Sequence, residues 1–187
     1  MVGKFLSKAK AFMGREKFEE KVVLKEIEVA HKIISDLFGI RATQVNPDTA
    51  NVNINIRRGN MQEMKRKLQQ ARGFILDAKK HDNRLVEFGR ILSDDFNLLP
   101  PQLKTGINMS EQTEMAMGES IVAPLNIIAQ QLITIQAYIN EDGTWNQGVH
   151  DPIARMYIDF NIIIGRIKEI FRVHAKVAEA LKAIERM

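Results

Sequence analysis

Histidines and paired carboxylates are the side chains of this sequence with the widest chemical range, since they can bind metals or transfer protons. The four histidines are His31, His81, His150 and His174, and their positions show no metal-ligand spacing. Asp94 and Asp95 are adjacent, but neighbouring residues of a helix point about 100° apart, so this pair is typical of a helix end or turn. The glycines stand singly and form no phosphate-binding loop. The sequence therefore predicts no catalytic, metal or cofactor site, and we expect the protein not to be an enzyme.

Charge is the more informative feature. Residues 1–18 contain five bases and one acid, whereas residues 19–187 contain 22 of each, so the entire formal excess of +4 lies in the opening segment. Apolar residues recur there with the spacing of one helical face: Phe5, Leu6, Ala9, Phe12 and Met13. Such a segment can lie at a membrane surface, with its rings among acyl chains and its lysines toward anionic headgroups. The same pattern fits a helix that packs Phe5 and Phe12 into the core, and a basic start is shared with mitochondrial transit peptides.

Composition sets the broad class. A chain of 187 residues with 45% apolar and 27% charged residues is most simply one folded domain. Cysteine is absent, which excludes disulfides and thiolate metal sites and is typical of reducing compartments. Lys8 and Lys10 interrupt the apolar stretch that a signal peptide needs, and no apolar run approaches the roughly 20 residues of a membrane-spanning helix. We expect a cytoplasmic protein that associates peripherally with membranes.

The pattern of apolar residues predicts an all-α fold, namely an elongated antiparallel bundle of three long helices after a shorter one. The predicted helices cover residues 16–39, 60–96, 109–140 and 152–187, and Pro124 is expected to kink the third. Between the first two lies an insertion at 41–60, where Val52, Ile54 and Ile56 alternate with asparagines as in a short strand. No second strand pattern is evident to pair with it.

The helix at 16–39 carries apolar residues on two sides, more than one face of a bundle needs. One stripe consists of Phe18, Val22, Val29 and Ile33, and the other of Val23, Ile27, Ala30, Ile34 and Leu37. The last helix has a similar surplus, which includes Phe160, Ile164, Ile167 and Phe171. We predict that the first stripe and these four residues form the interface of an antiparallel homodimer.

Four stretches of the chain resemble motifs of one known protein family, and they occur in the same order. "LVEFGRILSDDFNLLPPQL" followed by "GESIVAPLNII" resembles the endophilin stretch in which an acidic pair leads through a loop to a helix with a Pro-Leu kink. "FLSKAKAFMGREKF" resembles the amphipathic start of the endophilin B type, and "VNPDTANVNINIRRGN" resembles the insertion. The final "FRVHAKVAEAL" is similar to the closing helix of that fold.

The resemblance implies a BAR-like domain with an amphipathic start, which forms a crescent-shaped homodimer and senses or generates membrane curvature. It divides the chain into an amphipathic segment at 1–15 and a helical dimerisation domain at 16–187. The lipid-binding residues that it and the charge pattern indicate are Lys4, Phe5, Leu6, Lys8, Lys10, Phe12, Val52, Ile54, Ile56, Arg57, Arg58, Lys65, Arg66, Lys67 and Arg72. The expected partners are an anionic phospholipid membrane and a second copy of the chain, with no cofactor.

The chain also departs from that family. The segment between Pro124 and the last helix is shorter than in endophilins, and "NEDGTWNQGVHDP" lacks the basic arm tip, so the arms should be short. One alternative is a helical adaptor that binds a protein partner without entering a membrane. Another is nucleic-acid binding through the bases between Arg57 and Arg84, but Phe74 is the one aromatic residue interleaved with them and no binding motif is present. We therefore expect no nucleic-acid partner.

Overall fold

The computed structural model describes the backbone of residues 2–39, 45–46, 51–52, 59–99 and 101–186. These residues form four long helices, a pair of two-residue strands and a short 3-10 helix at Gln147–Val149. In chain order the elements are α1 (Val2–Phe38), β1 (Val45–Asn46), β2 (Asn51–Val52), α2 (Met61–Phe96), α3 (Pro101–Gln136) and α4 (His150–Glu185). The predicted all-α class is confirmed. All four helices have 36 or 37 residues, so the first is as long as the others rather than shorter.

The first helix continues without interruption from the opening segment into the rest of the chain. All of its buried positions except Glu19 form one helical stripe, which crosses the predicted boundary between residues 15 and 16: Leu6, Ala9, Met13, Glu16, Glu20, Val23, Ile27, Ala30, Ile34 and Phe38. Gly39 follows with a φ of 62°, a conformation that glycine adopts readily, so the helix ends within one residue of its predicted end at 39.

Two prolines define the third helix. Pro101 is its first residue, a position where the missing N–H of proline leaves no helical hydrogen bond unmade. The helix therefore begins eight residues before the predicted start at 109. Pro124 lies inside α3 and is buried.

The insertion contains a partner strand that the sequence analysis did not find. β1 and β2 pair antiparallel, with Val45 opposite Val52 and Asn46 opposite Asn51. The sequence shows no second strand pattern because a two-residue strand is too short to show alternation. Residues 53–58 lie outside the described part of the chain.

The chain divides into two compact units, each built from parts of all four helices. Unit 1 comprises Met1–Leu24, Lys80–Val122 and Gly165–Met187, and unit 2 comprises Lys25–Lys79 and Ala123–Ile164. In unit 1, Lys8 contacts Asp95 and Glu19 contacts His81, so α1 and α2 run antiparallel. Contacts between α1 and α4 follow the same reversed order.

Unit 2 has an aromatic core and a tight turn before α4. Trp145 of this turn packs on Phe38, with ring centroids 4.7 Å apart. Gly143 has a φ of 78°, and a Cβ placed there would lie 1.7 Å from the carbonyl oxygen of Gly59. The N–H of Gly59 donates to the carbonyl of Gly143 at 2.9 Å, so only glycine allows this connection between the turn and the start of α2.

Candidate functional site

The apolar side chains of the opening segment pack into the core of unit 1. Three of them belong to one buried cluster with side chains of α2 and α4: Leu6, Ala9 and Met13. Phe5 meets Phe96 with ring centroids 6.0 Å apart, and Phe12 meets Phe88 at 6.1 Å. The protein's own core thus occupies the face that was predicted to enter lipid, as in the core-helix alternative that the sequence left open.

The bases of the same segment point outward. Lys4, Lys8, Lys10, Arg15 and Lys17 are all exposed. Lys8 pairs with Asp95 at 2.8 Å and Lys10 with Glu185 at 2.6 Å, and both lysines remain about half exposed. Exposed ion pairs of this kind contribute about 0–1 kcal/mol each to the free energy of unfolding. Each lysine can therefore exchange its carboxylate partner for another anion with little loss of stability.

The fourth helix adds a second row of bases. The α1 and α4 segments of unit 1 together carry twelve bases and six acids, whereas the α2 and α3 segments carry four bases and seven acids. We use the term basic face for the eleven exposed bases of the first pair: Lys4, Lys8, Lys10, Arg15, Lys17, Lys21, Lys168, Arg172, Lys176, Lys182 and Arg186. Unit 1 is therefore electrostatically polarised.

The acids of α1 account for this polarity because they point inward. Glu16, Glu19 and Glu20 are 0%, 5% and 1% exposed. Glu19 contacts His81 Nδ1, and its other oxygen lies 3.8 Å from Arg84. Oε1 of Glu20 is 3.0 Å from Nδ1 of His174 on α4, and Oε2 of Glu16 is 3.9 Å from the same nitrogen. The folded unit thus withdraws three carboxylates from the surface and leaves the bases outside.

Asp82 on α2 is a further buried acid of unit 1. Its side chain is fully buried, and neither carboxylate oxygen has a hydrogen-bond partner among the described residues. A Cβ at Gly118 would lie 3.6 Å from Asp82 Oδ1 and 2.8 Å from a methyl of Val86, so α3 approaches α2 closely here. Burial raises the pKa of Asp82 to about 7.

A groove of about 580 Å³ runs between α1 and α4 in unit 1. Its apolar lining consists of Met13, Gly14, Phe171, Ala175, Ala178 and Leu181. The polar lining consists of Lys10, Lys17, Glu20, His174, Glu179 and Lys182. The groove therefore lies within the basic face and has three lysines on its walls.

The remaining predicted lipid residues belong to unit 2. Val52 is in β2, but its side chain is not described, and Ile54, Ile56, Arg57 and Arg58 lie outside the described residues. On α2, Arg66 is exposed and pairs with Glu63 at 2.7 Å, while three other bases are half-buried: Lys65, Lys67 and Arg72. The predicted set thus divides between the two units.

The predicted dimer residues divide by burial. Phe160 and Ile167 are buried in the chain's own core, at 0% and 1% exposure. Phe18 is 61% exposed. The other five are half-buried: Val22, Val29, Ile33, Ile164 and Phe171. The second stripe of α1 is the one that faces the core, since Val23, Ile27, Ala30 and Ile34 are all buried.

Sequence reasoning missed the α4 bases, the inward acids and the groove. A signal for the acids was present, because Glu16 and Glu20 continue the apolar stripe of Ala9, Met13 and Val23 at helical spacing. The bases of α4 carried no such signal. Residues 19–187 contain equal numbers of acids and bases, and this balance does not show which of them are buried.

No metal site is apparent among the described side chains, where no group of three or more His, Cys, Asp or Glu residues is arranged to hold an ion. Within the described ranges, no helix is long and apolar enough to cross a membrane. Comparison with family models, with curated proteins and with solved structures found no match to this chain.

Proposed function

We propose that the protein binds anionic membrane surfaces through the basic face of unit 1, with α1 in its folded position. One observation carries the proposal: the first part of α1 turns its acids inward together with Leu6, Ala9 and Met13, and its bases outward. Each Lys or Arg near an anionic membrane contributes about 1 kcal/mol. A face of eleven exposed bases supplies enough of them for reversible binding without insertion.

This mode of binding differs from that implied by the endophilin resemblance. An inserting segment would have to withdraw Leu6, Ala9 and Met13 from the core cluster, and each large apolar side chain withdrawn loses about 1.5–3 kcal/mol of burial. Electrostatic docking requires no such rearrangement. Curvature sensing or generation by a crescent-shaped homodimer stays a prediction of the resemblance.

A helical adaptor is the second candidate, because some large apolar side chains are exposed. Phe18 is 61% exposed on α1 and Leu98 is 81% exposed after α2, both in unit 1.

Phe18 is also the most exposed of the predicted dimer residues. Sedimentation at micromolar concentration should show a homodimer, and Phe18→Glu should dissociate it; an unchanged sedimentation coefficient would remove Phe18 from the interface.

Vesicle cosedimentation tests the membrane proposal. The test variant replaces three bases of the basic face, Lys4, Lys17 and Lys176, by Glu. Its matched control replaces three exposed bases of unit 2, Lys25, Lys32 and Arg155, by Glu, which changes the net charge equally.

The wild type should bind vesicles that contain phosphatidylserine and not pure phosphatidylcholine vesicles. Binding should weaken with salt, because exposed charges are screened beyond about 8 Å at physiological ionic strength. The test variant should lose at least tenfold in affinity and the control less than threefold. Equal losses in both variants, or no binding by the wild type, would overturn the proposal.

A further inference from the structure

We propose that the groove between α1 and α4 holds one acyl chain of an anionic membrane lipid. The inference rests on the proposed function, because the basic face is what brings a bilayer to the groove. The groove would bind a single lipid molecule, whereas the rest of the basic face would attract the membrane by charge alone.

The shape of the groove suits an acyl chain. Its volume of about 580 Å³ falls in the range of about 300–1,000 Å³ that small-molecule sites occupy. The lining on α1 extends from Lys10 to Glu20, and ten residues of helix rise about 15 Å, so the groove is long enough for an extended chain. Gly14 and Ala178 keep its middle open because they have little or no side chain.

The charges of the groove select an anionic head. α1 and α4 run antiparallel, so Lys10 and Lys182 lie toward one end, and Lys17 lies toward the other with Glu20 and His174. Lys10 pairs with Glu185. Among the described residues, Lys17 and Lys182 have no carboxylate within 4 Å. An acyl chain along the apolar middle would place its carboxylate or phosphate beside one of these two lysines.

Gly14 allows the groove to be filled without disturbing the core. Gly14 lines the groove and no atom lies within 4 Å of a Cβ placed there, so a leucine side chain adds bulk at the groove without meeting the core. Gly3 is the matched control, because it lies on the same helix, also has nothing within 4 Å of its Cβ, and does not line the groove. Both changes should leave the helix at least as stable, since leucine is a better helix former than glycine.

The test measures calorimetric binding of dodecyl phosphate below its micelle concentration to the full chain. The wild type should bind it, and Gly14→Leu should lower the affinity at least tenfold while Gly3→Leu changes it less than twofold. Dodecyltrimethylammonium, with the same chain and a cationic head, should bind at least tenfold more weakly than dodecyl phosphate. Lys17→Gln and Lys182→Gln, made separately, identify the end that holds the head, and one of them should reduce the affinity at least fivefold.

Vesicle binding separates this inference from the proposed function. Gly14→Leu keeps every base, so it should still cosediment with phosphatidylserine vesicles. Dodecyl phosphate binding without vesicle binding would leave the groove as a site for dispersed amphiphiles and overturn the membrane role. Equal binding by Gly14→Leu and the wild type, equal binding of the cationic amphiphile, or free inorganic phosphate competing as well as dodecyl phosphate would overturn the acyl-chain site.

Discussion

Units 1 and 2 are built from the same four helices but have different interiors. Among the described residues, every buried Asp, Glu or His side chain belongs to unit 1: Glu16, Glu19, Glu20, Asp82 and His174. Among the same residues, unit 1 buries the ring of Phe96, whereas unit 2 buries those of Phe38, Trp145, Tyr157 and Phe160. The hydroxyl of Tyr157, a polar group of that interior, shares a hydrogen bond with Ser35 at 2.6 Å.

This difference indicates different tasks. Burying a carboxylate is unfavourable unless a partner compensates. Glu19 and Glu20 have such partners in His81 and His174, whereas Asp82 has no hydrogen-bond partner among the described residues. Because three acids of α1 are buried in unit 1, the exposed surface of α1 and α4 in this unit is strongly basic. Unit 1 is therefore the unit whose folding creates a charged surface.

The largest expected effect concerns the aromatic core of unit 2. Phe160 is fully buried, with its ring centroid 5.2 Å from that of His31 and 6.2 Å from that of Tyr157. Phe160→Ala should lower the free energy of unfolding by about 3–5 kcal/mol in urea titrations. The control, Phe18→Ala, removes an exposed ring and should change it by about 0.5 kcal/mol or less at dilute, monomeric concentrations. Similar losses for both variants would contradict the assignment of the core.

The second effect depends on pH and concerns Asp82 in unit 1. Its pKa is raised from 3.8 to about 7, so below about pH 4 the carboxyl is protonated in both states. As the pH rises to 7, the unfolded chain releases the proton and the folded chain retains it, which lowers the free energy of unfolding by about 1.4 kcal/mol per pH unit. Asp82→Asn removes this titration. Its stability relative to the wild type should therefore be about 3 kcal/mol higher at pH 8 than at pH 5.

Asp94→Asn is the control for that titration, because Asp94 is exposed on the same helix. It removes the same carboxyl group from an exposed position and so controls for the loss of one side-chain charge. If Asp82→Asn and Asp94→Asn gave the same difference between pH 5 and pH 8, the raised pKa of Asp82 would be refuted.

The smallest effect concerns the outer ion pairs of unit 1. Lys8→Gln and Lys10→Gln remove the pairs with Asp95 and Glu185, and each should lower the free energy of unfolding by about 0–1 kcal/mol. Thermal melts at low and high salt provide the measurement. A loss of more than about 2 kcal/mol would mean that these lysines stabilise the fold and are not available to a membrane.

The sequence predicted the helices well where their ends carry chemical signals. The second predicted helix, 60–96, matches Met61–Phe96 to one residue, and the last, 152–187, lies within two residues of His150–Glu185 at each end. The third begins eight residues before its predicted start at 109, because Pro101, which cannot continue a preceding helix, also fits the first position of a new one.

The partner of an apolar face could not be predicted from periodicity. Phe5, Leu6 and Phe12 show the spacing that a lipid interface and a protein core both require, since each demands only that one helical face be apolar. The burial of Glu16 and Glu20 depends on His174, which is more than 150 residues away in the chain. A contact between residues so far apart in the chain cannot be inferred from local periodicity, which shows only that the two acids lie on the apolar stripe of α1.

The most direct test of the account replaces Phe5 and Phe12 together by Glu and measures both thermal unfolding and vesicle binding. The matched control, Ser7→Glu with Ala11→Glu, introduces the same charge at exposed positions of the same segment. The account predicts that the phenylalanine variant lowers the melting temperature because it places charges against Phe96 and Phe88, whereas the control does not. Both should weaken binding to phosphatidylserine vesicles through charge alone. An unchanged melting temperature, with vesicle binding abolished only in the phenylalanine variant, would contradict the account and show that the segment inserts into the membrane.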